Sequence, residues 1–409
     1  MNKKKIINDP VYGFISIPDG LVFEIIEHPF VQRLRRIKQL GMTDLVYPGA
    51  NHTRFHHALG AMHLMSEALN TLRGKGVQIS DEEYESALIA ILLHDVGHGP
   101  FSHALEFSIL PGVEHEDITV AIVNYLDELF KNRLDLVKKI IQGQYDRKFF
   151  NQLVSSQLDT DRMDYLNRDS YFTGVSEGKI GSERILKMLN LINNEIVVEE
   201  KAIYSIENFL SARRLMYWQV YLHKTTVGAE KMLIKIIQRA KYLVSRNVFV
   251  ESSPAFKVFL SHDYSLDDFI SNRNVLNNFL KLDDTDILGA IKIWQDHPDL
   301  VLSTLSRMLL NRDLFKVRLS GNKTQEEELN DLINKVSEKY SINPEDARYL
   351  ISEGSMTNAA YISGGQRINV LMKDGNIIDI ADAADLPNIA AMSKIVKKYY
   401  LCWPKIVSL

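Results

Sequence analysis

The segment SDEEYESALIAILLHD, residues 80–95, constrains the fold of this chain more than any other. Ser80 and Glu83 have the spacing of a capping box, the reciprocal pair that starts a helix. Tyr84, Ala87, Leu88, Ile91 and Leu92 then recur at helical spacing. The last turns are apolar on every side, so the helix is expected to be buried. Gly97 and Gly99-Pro100 stop it. A buried helix that ends in adjacent His94-Asp95 is chemically unusual, because aspartate is seldom buried unless it is paired or bound to a metal. Together an imidazole nitrogen and a carboxylate oxygen suit a borderline to hard divalent ion. An isolated His-Asp pair at a helix end is more often a solvated terminus. The glycines that follow, with His98 and His103, argue here for a site.

A metal needs more ligands. NHTRFHHALGAMHLM places His56 and His57 on one helix, predicted over 53–72. The positions on the His57 face are Ala61, Leu64 and Ala68, whereas Gly60, His63 and Glu67 share the face of His56. His57 is therefore the inward histidine. In LDTDRMDYLNRD, residues 158–169, Asp161, Tyr165, Arg168 and Asp169 fall on one side of a helix, and Asp159 and Asp164 lie elsewhere. Such a charge run is ordinarily a solvated face. The density of acids beside Arg162 and Tyr165 points instead to a site, with Asp161 as the fourth ligand.

Most of the chain has helical periodicity with short polar breaks. Residues 20–40 read as a helix or helix pair broken near His28-Pro29. VVEEKAIY, residues 197–204, reads as a strand or hairpin, and a long helix is expected from Ser205 to Val244. LFKVRLS, residues 314–320, reads as a strand, and residues 368–380 as a hairpin turning at Asp374-Gly375. The expected class is mainly α, with residues 1–250 as a helical catalytic core (its motif region about 50–170) and 251–409 as a smaller α+β portion with an oligomerisation or regulatory role. A length of 409 residues fits two lobes or one enlarged domain. With a formal net charge of -4, the chain is not built to wrap nucleic acid. Its single cysteine, Cys402, leaves no intrachain disulfide and excludes a cysteine-based zinc knuckle. No apolar run has the length of a membrane span, so a cytoplasmic protein is expected.

The pattern His57, His94-Asp95, Asp161 resembles the H…HD…D signature of HD-superfamily phosphohydrolases. INDPVYGFISIP, FVQRLRRIKQLG, YPGANHTRFHHALG, LLHDVGHGPFSH, DTDRMDYLNRDS and YLHKTTVGAEKML are similar, in order, to segments of the deoxynucleoside triphosphate triphosphohydrolases. The branch is the one that includes the SAM- and HD-domain enzyme of animals, here without a preceding SAM domain. The resemblance runs from about residue 6 to 240.

That resemblance implies hydrolysis of a dNTP to deoxynucleoside and inorganic triphosphate. It implies one divalent ion (Mg, Mn, Fe, Zn or Ni) held by His57, His94, Asp95 and Asp161, and a further Mg with the triphosphate. His103 matches the family's general acid. His98 and His115 match the flanking histidines, and Glu106 the acid that holds the acid histidine. Arg54, Arg162, Tyr165 and Arg213 match phosphate contacts. Gln39 and Asp169 match the 3′-hydroxyl pair, Leu40 the residue under the sugar, and Tyr221 the residue that disfavours a 2′-hydroxyl. Arg213, Tyr217, Tyr221 and Lys224 are expected on one helix face. Asn8, Glu27, Gln32 and Arg35 sit where a nucleotide activator would bind, and a homo-oligomer, dimer or tetramer, is expected. Two alternatives remain at this level: an HD phosphohydrolase or phosphodiesterase of another nucleotide, and a non-catalytic nucleotide sensor or nucleic-acid binder. The intact ligand set and His103 argue against the second.

Overall fold

The computed structural model describes residues 5–358, 367–385 and 396–408, without the side chains of His103, Phe107 and Asn358. The fold is mainly α, as the periodicity predicts. Its centre is a trio of helices, Arg54–Gly74, Asp81–Leu93 and Thr160–Thr173. Each starts at a cap that the sequence carries. Thr53 and His56 form a reciprocal box, with the Thr53 amide donating to His56 Nδ1 at 3.1 Å. The Ser80–Glu83 box forms as expected, with reciprocal bonds of 3.1 and 2.8 Å. The Asp159 carboxylate accepts from the Arg162 amide at 2.7 Å. The last turns of the helix Asp81–Leu93 are buried throughout, from Ser86 to Leu93.

Two glycines allow the close packing that builds the site. A Cβ on Gly60 would lie 2.0 Å from Asp164 Oδ1 and 2.1 Å from Arg168 Nη2, so the helices 54–74 and 160–173 meet at this position. A Cβ on Gly97 would lie 2.2 Å from the His115 carbonyl, which lets the helix His115–Leu129 dock beside the His-Asp turn.

Three small sheets attach to this helical body. Lys5–Asp9 and Gly13–Ile17 form an N-terminal antiparallel hairpin. A four-stranded sheet has the order Leu189–Ile192, Glu195–Glu199, Asn369–Leu371, Ile377–Asp379, and its middle pair is parallel. A three-stranded antiparallel sheet has the order Lys316–Ser320, Val396–Trp403, Ser352–Asn358. The hairpin predicted at Asp374-Gly375 is present, with Gly375 at φ 88. The strand predicted over 314–320 spans Lys316–Ser320.

Two expectations are corrected. The strand at 197–204 ends at Glu199, and Ile203 already starts a helix. The long helix expected from Ser205 to Val244 is two helices, Ile203–Met216 and Lys224–Ser245, separated by a π-helical turn at Tyr217–Tyr221. The wider turn ends with the Leu222 amide on the Tyr217 carbonyl at 2.7 Å, and His223 caps the second helix by accepting from Thr225 at 3.3 Å. A π turn shifts helical phase, so the shared face drawn for Arg213, Tyr217, Tyr221 and Lys224 does not exist as such.

The C-terminal part is knit into the catalytic body. Arg33 Nε donates to the Leu282 carbonyl at 2.6 Å and its Nη1 to the His98 carbonyl at 2.9 Å. Asp284 accepts from the backbone amides of Lys38 at 2.8 Å and Phe101 at 2.7 Å. Residues 282–284 therefore fasten two loops that border the site.

Candidate metal centre and active site

His57 and Asp161 on two helices and His94 at the end of a third present ligand atoms within 4.8 Å of one another. His57 Nε2 lies 3.1 Å from Asp161 Oδ1 and 3.7 Å from Asp95 Oδ2. His94 Nε2 lies 3.5 Å from Asp161 Oδ1 and 3.4 Å from Asp95 Oδ1. The four residues predicted as ligands thus converge on one point.

The tautomers are set from behind. His57 Nδ1 meets Asp164 Oδ2 at 2.8 Å, and His94 Nδ1 meets the Ile91 carbonyl at 2.6 Å. Each Nδ1 donates to its acceptor, which leaves each Nε2 aimed at the centre, where both are buried with no hydrogen-bond partner. Two orphaned imidazole nitrogens facing two carboxylates are the donor set of a divalent cation site.

The electrostatics agree. Burial alone would lower the basicity of His57, but Asp161 and Asp164 hold it up at about 10. Burial would likewise lower that of His94, and Asp95 and Asp161 raise it. Against burial, His94, Arg54 and His57 hold the Asp95 carboxyl down at about 2. The cluster demands positive charge, and a metal ion supplies it without protonating the ligands.

Asp164 was assigned to another face of its helix and was not expected in the site. It sits fully buried between His57 and Arg168, accepting from Arg168 Nε and Nη2 at 2.9 Å each. Arg168 in turn donates to Asp9 at 2.8 Å, and the Asp9 carboxylate caps the N-terminal hairpin by accepting from Val11 and Tyr12 at 2.9 and 3.0 Å. The signal available in the sequence was Gly60 on the helix of His57, since only a glycine admits Asp164 so closely.

A cavity of about 650 Å³ opens beside this centre. Of the predicted substrate residues, Gln39, Leu40, Arg54, Arg162, Tyr165, Asp169 and Tyr221 line it. Asp169 is held by His52 Nε2 at 2.7 Å and by the Tyr221 hydroxyl at 2.8 Å. His52 therefore supports the site and was not singled out in the sequence. Arg54 donates to Asp95 and to the Ser102 hydroxyl, the latter at 2.8 Å, so part of this cation is engaged with the metal ligand itself. Arg162 donates to the Ser156 carbonyl at 2.6 Å and lies 3.3 Å from Asp159. Arg213 does not line the cavity. It is buried near Tyr165, with Nε and Nη1 lacking a hydrogen-bond partner.

The His98 and His115 rings lie tilted by 35° with centroids 3.7 Å apart, and His98 Nδ1 lies 3.4 Å from Asp95 Oδ1. Asp95, His98 and His115 form a second group with metal-ligand spacing. Glu106 accepts from the His115 amide at 2.8 Å and from its Nδ1 at 2.7 Å. His103 lies in the short turn Ser102–Ala104, but its side chain is outside the described ones, so its expected pairing with Glu106 is not described.

The four positions where an activator was expected lie around the N-terminal hairpin and the helices that follow it. Asn8 and Glu27 are exposed. Gln32 donates to the Ile26 carbonyl at 2.8 Å and accepts from Arg35 at 2.7 Å, while Arg35 lies over the Phe55 ring at 3.7 Å. A larger surface groove of about 840 Å³, bordered by Glu82, Glu85, Arg133 and Lys139, is lined by none of His57, His94, Asp95 and Asp161. No described helix is long and apolar enough to cross a membrane.

Comparison with known proteins agrees with this geometry. The HD domain model matches residues 54–169, and the HD associated region model matches 180–248. The uncharacterized protein YwfO of Bacillus subtilis is 37% identical over 77% of this chain and 72% of its own length. A deoxynucleoside triphosphate triphosphohydrolase SAMHD1 homolog of Dictyostelium discoideum is 33% identical over 56% of this chain and 48% of its own. The crystal structure of a phosphohydrolase from Bacteroides thetaiotaomicron superposes with a TM-score of 0.96 at 50% identity, covering 98% of this chain and 100% of that one. With its HD residues gathered at one centre, YwfO matched over 72% of its length and the Bacteroides phosphohydrolase over all of its chain, this chain belongs to the HD-domain family and is an HD-domain phosphohydrolase.

Proposed function

We propose that this protein hydrolyses deoxynucleoside triphosphates to deoxynucleoside and inorganic triphosphate. The observation that carries the reading is Asp169. Its carboxylate is oriented by His52 and Tyr221 inside the same cavity as the His57–His94–Asp161 centre, next to Gln39 and Leu40. A fixed acceptor beside a phosphohydrolase centre suits a sugar hydroxyl, and the packed Tyr221 ring suits a sugar without a 2′-hydroxyl. The Dictyostelium relative carries the same activity in its name.

In the reaction, water adds to the α-phosphorus, the bond from phosphorus to the 5′-oxygen breaks, and that oxygen leaves with a proton. His57, His94, Asp95 and Asp161 would hold a divalent ion, which would supply Lewis acidity toward the phosphoryl group, and a further Mg would accompany the triphosphate. Arg54 and Arg162 place cationic charge along the cavity, and Arg213, buried with free N–H groups, adds its charge from behind Tyr165. His103 is the proposed donor to the 5′-oxygen, and His98, His115 and Glu106 take the flanking and supporting roles that the resemblance implies. Tyr165 crosses Tyr221 edge to face at 6.1 Å, closing the sugar side of the cavity.

Assembly and activation belong to the same proposal. Ile6 and Phe14 are 60% and 74% exposed on the N-terminal hairpin that also carries Asn8, which suits a homo-oligomer, dimer or tetramer. A nucleotide activator held by Asn8, Glu27, Gln32 and Arg35 would lie at such a contact.

The test is incubation of the purified chain with each dNTP and Mg²⁺ or Mn²⁺, products resolved by chromatography. Deoxynucleoside plus triphosphate is expected, whereas pyrophosphate plus monophosphate, or no turnover of any dNTP mixture, refutes the reading. Asp161→Ala is expected to lose metal and turnover while keeping the fold.

A further inference from the structure

Two side chains hold the Asp169 carboxylate. Tyr221 does so from within the cavity and His52 from behind it, for His52 does not line the cavity and its side chain is fully buried. His52 Nε2 meets Asp169 Oδ1 at 2.7 Å, and its ring lies on that of Phe172 with centroids 4.6 Å apart and planes at 17°. Its Nδ1 is buried with no hydrogen-bond partner. A buried N–H without an acceptor is costly, so the ring proton belongs on Nε2, where Asp169 accepts it. The backbone of the same residue serves Gln39. The Gln39 amide donates to the His52 carbonyl at 3.1 Å, and the Arg54 amide to the Ile37 carbonyl at 3.0 Å. Lys38 and Thr53 form an antiparallel β-bridge between these two bonds. Residues 37–39 are thereby laid against 52–54, and His52 is bonded to both Gln39 and Asp169.

Each Asp169 oxygen accepts one bond from these two side chains, Oδ1 from His52 and Oδ2 from Tyr221, and each keeps a lone pair for a ligand. Gln39 Oε1 is likewise without a hydrogen-bond partner at the cavity wall. A pair of fixed acceptors left open in this way takes a hydroxyl and rejects a hydrogen atom in its place. We propose that His52 is a positioning residue for that pair. Its ring fixes Asp169 and its carbonyl fixes Gln39, so one residue outside the cavity sets their spacing and makes the site demand a hydroxyl at the sugar 3′-position. This inference rests on the dNTP reading above and extends it to a residue that does not touch the substrate.

Each dNTP is compared with its 2′,3′-dideoxy counterpart, by turnover and by equilibrium binding, on the full chain and on three variants. His52→Phe keeps a ring against Phe172 and loses the donor. His52→Asn loses it too, because its amide reaches no farther than Nδ1, and it brings no apolar edge to the carboxylate; it gives the answer if His52→Phe does not fold. His52→Gln carries an amide N–H out to the position of Nε2. A hydrogen bond to a charged group discriminates by roughly 10- to 150-fold. The wild-type chain is expected to favour the dNTP by at least about 10-fold, chiefly through KM. His52→Phe and His52→Asn are expected to lower that preference at least about fivefold, with the dideoxy substrate nearly unaffected and metal content kept, and His52→Gln to restore most of it. Equal use of both substrates by the wild-type chain overturns the inference and leaves the dNTP reading standing. So does an equal loss on both substrates in His52→Phe and His52→Asn, which marks a merely structural role. Absence of binding and turnover with every dNTP overturns both.

Discussion

Asp164 offers a sharp test of how the metal centre is held. Ligation by His57 through Nε2 requires the proton on Nδ1, and Asp164 Oδ2 receives that proton at 2.8 Å. In Asp164→Asn the volume stays, but one oxygen becomes an NH₂ group. If the amide oxygen stays with Arg168, the NH₂ meets His57 Nδ1 and drives the imidazole proton onto Nε2, where a metal must bind. If the amide turns over, Arg168 faces the NH₂ instead. Either way an acceptor is lost from a trio with no exposure. Losing the group behind a ligating histidine lowers metal affinity about 10- to 100-fold, which is roughly 1.4–2.7 kcal/mol. Weakening the buried Asp164–Arg168 pair also costs fold stability, up to about 3–5 kcal/mol if the pair were broken outright. Asp9→Asn separates the two effects. It weakens the Arg168–Asp9 bond of 2.8 Å without touching His57, so it is expected to lower the melting temperature and keep metal affinity. Metal content is measured by mass spectrometry after dialysis against graded chelator, with circular dichroism to confirm the fold. If Asp164→Asn retains metal within about threefold of wild type, the tautomer argument is wrong.

Three other perturbations follow from the geometry. Gly60→Ala in a helix interior ordinarily adds about 1 kcal/mol of stability, but here the new methyl would lie 2.0 Å from Asp164 Oδ1, so a net loss of about 1–3 kcal/mol is expected from overpacking. A raised melting temperature in calorimetry would contradict it. Glu83 is depressed below its ordinary 4.5 because, against burial, Ser80, Tyr145 and Arg147 donate to it. A depressed carboxylate contributes stability that is full above the unfolded value and lost as pH falls through the folded one, so the melting-temperature deficit of Glu83→Gln should be full at pH 7 and shrink below pH 4.5. A deficit unchanged at low pH would refute this. Phe101 and Ser102 hold positive φ, 55 and 54, beside the site, and Asp284 anchors the Phe101 amide at 2.7 Å. Asp284→Ala is expected to speed amide exchange across residues 97–105 at least tenfold while metal content is retained; protection equal to wild type would show that the loop holds itself.

His57 stood out because local apolar spacing sets the phase of its helix, His94-Asp95 because the pair ends a buried apolar helix, and Asp161 because of the acids around it. Asp164 was not legible by the same rule. Its helical phase places it off the Asp161 face, and its role depends on the partner helix arriving at Gly60, a tertiary fact. His52 escaped notice because it precedes its helix and has no period to be read. The π turn at Tyr217–Tyr221 carries no proline or glycine, so periodicity runs through it unbroken. The large-scale organisation was the least visible part. Residues 282–284 and 369–379 read as remote from the catalytic region, yet they fasten its loops and complete its sheet.

The parallel pairing of Glu195–Glu199 with Asn369–Leu371 has a consequence for how the chain is made. On a ribosome adding about 5–20 residues per second, the strand 195–199 waits roughly 10–35 s before its neighbour emerges. During that interval its outer edge has unmet amide and carbonyl groups, an invitation to pair with another nascent chain. The loops at 38 and 101 likewise wait for Asp284. A chain of this design becomes competent late, after nearly all of it has been synthesised, and truncation near residue 280 would leave every metal ligand present on a body whose site loops lack their anchor.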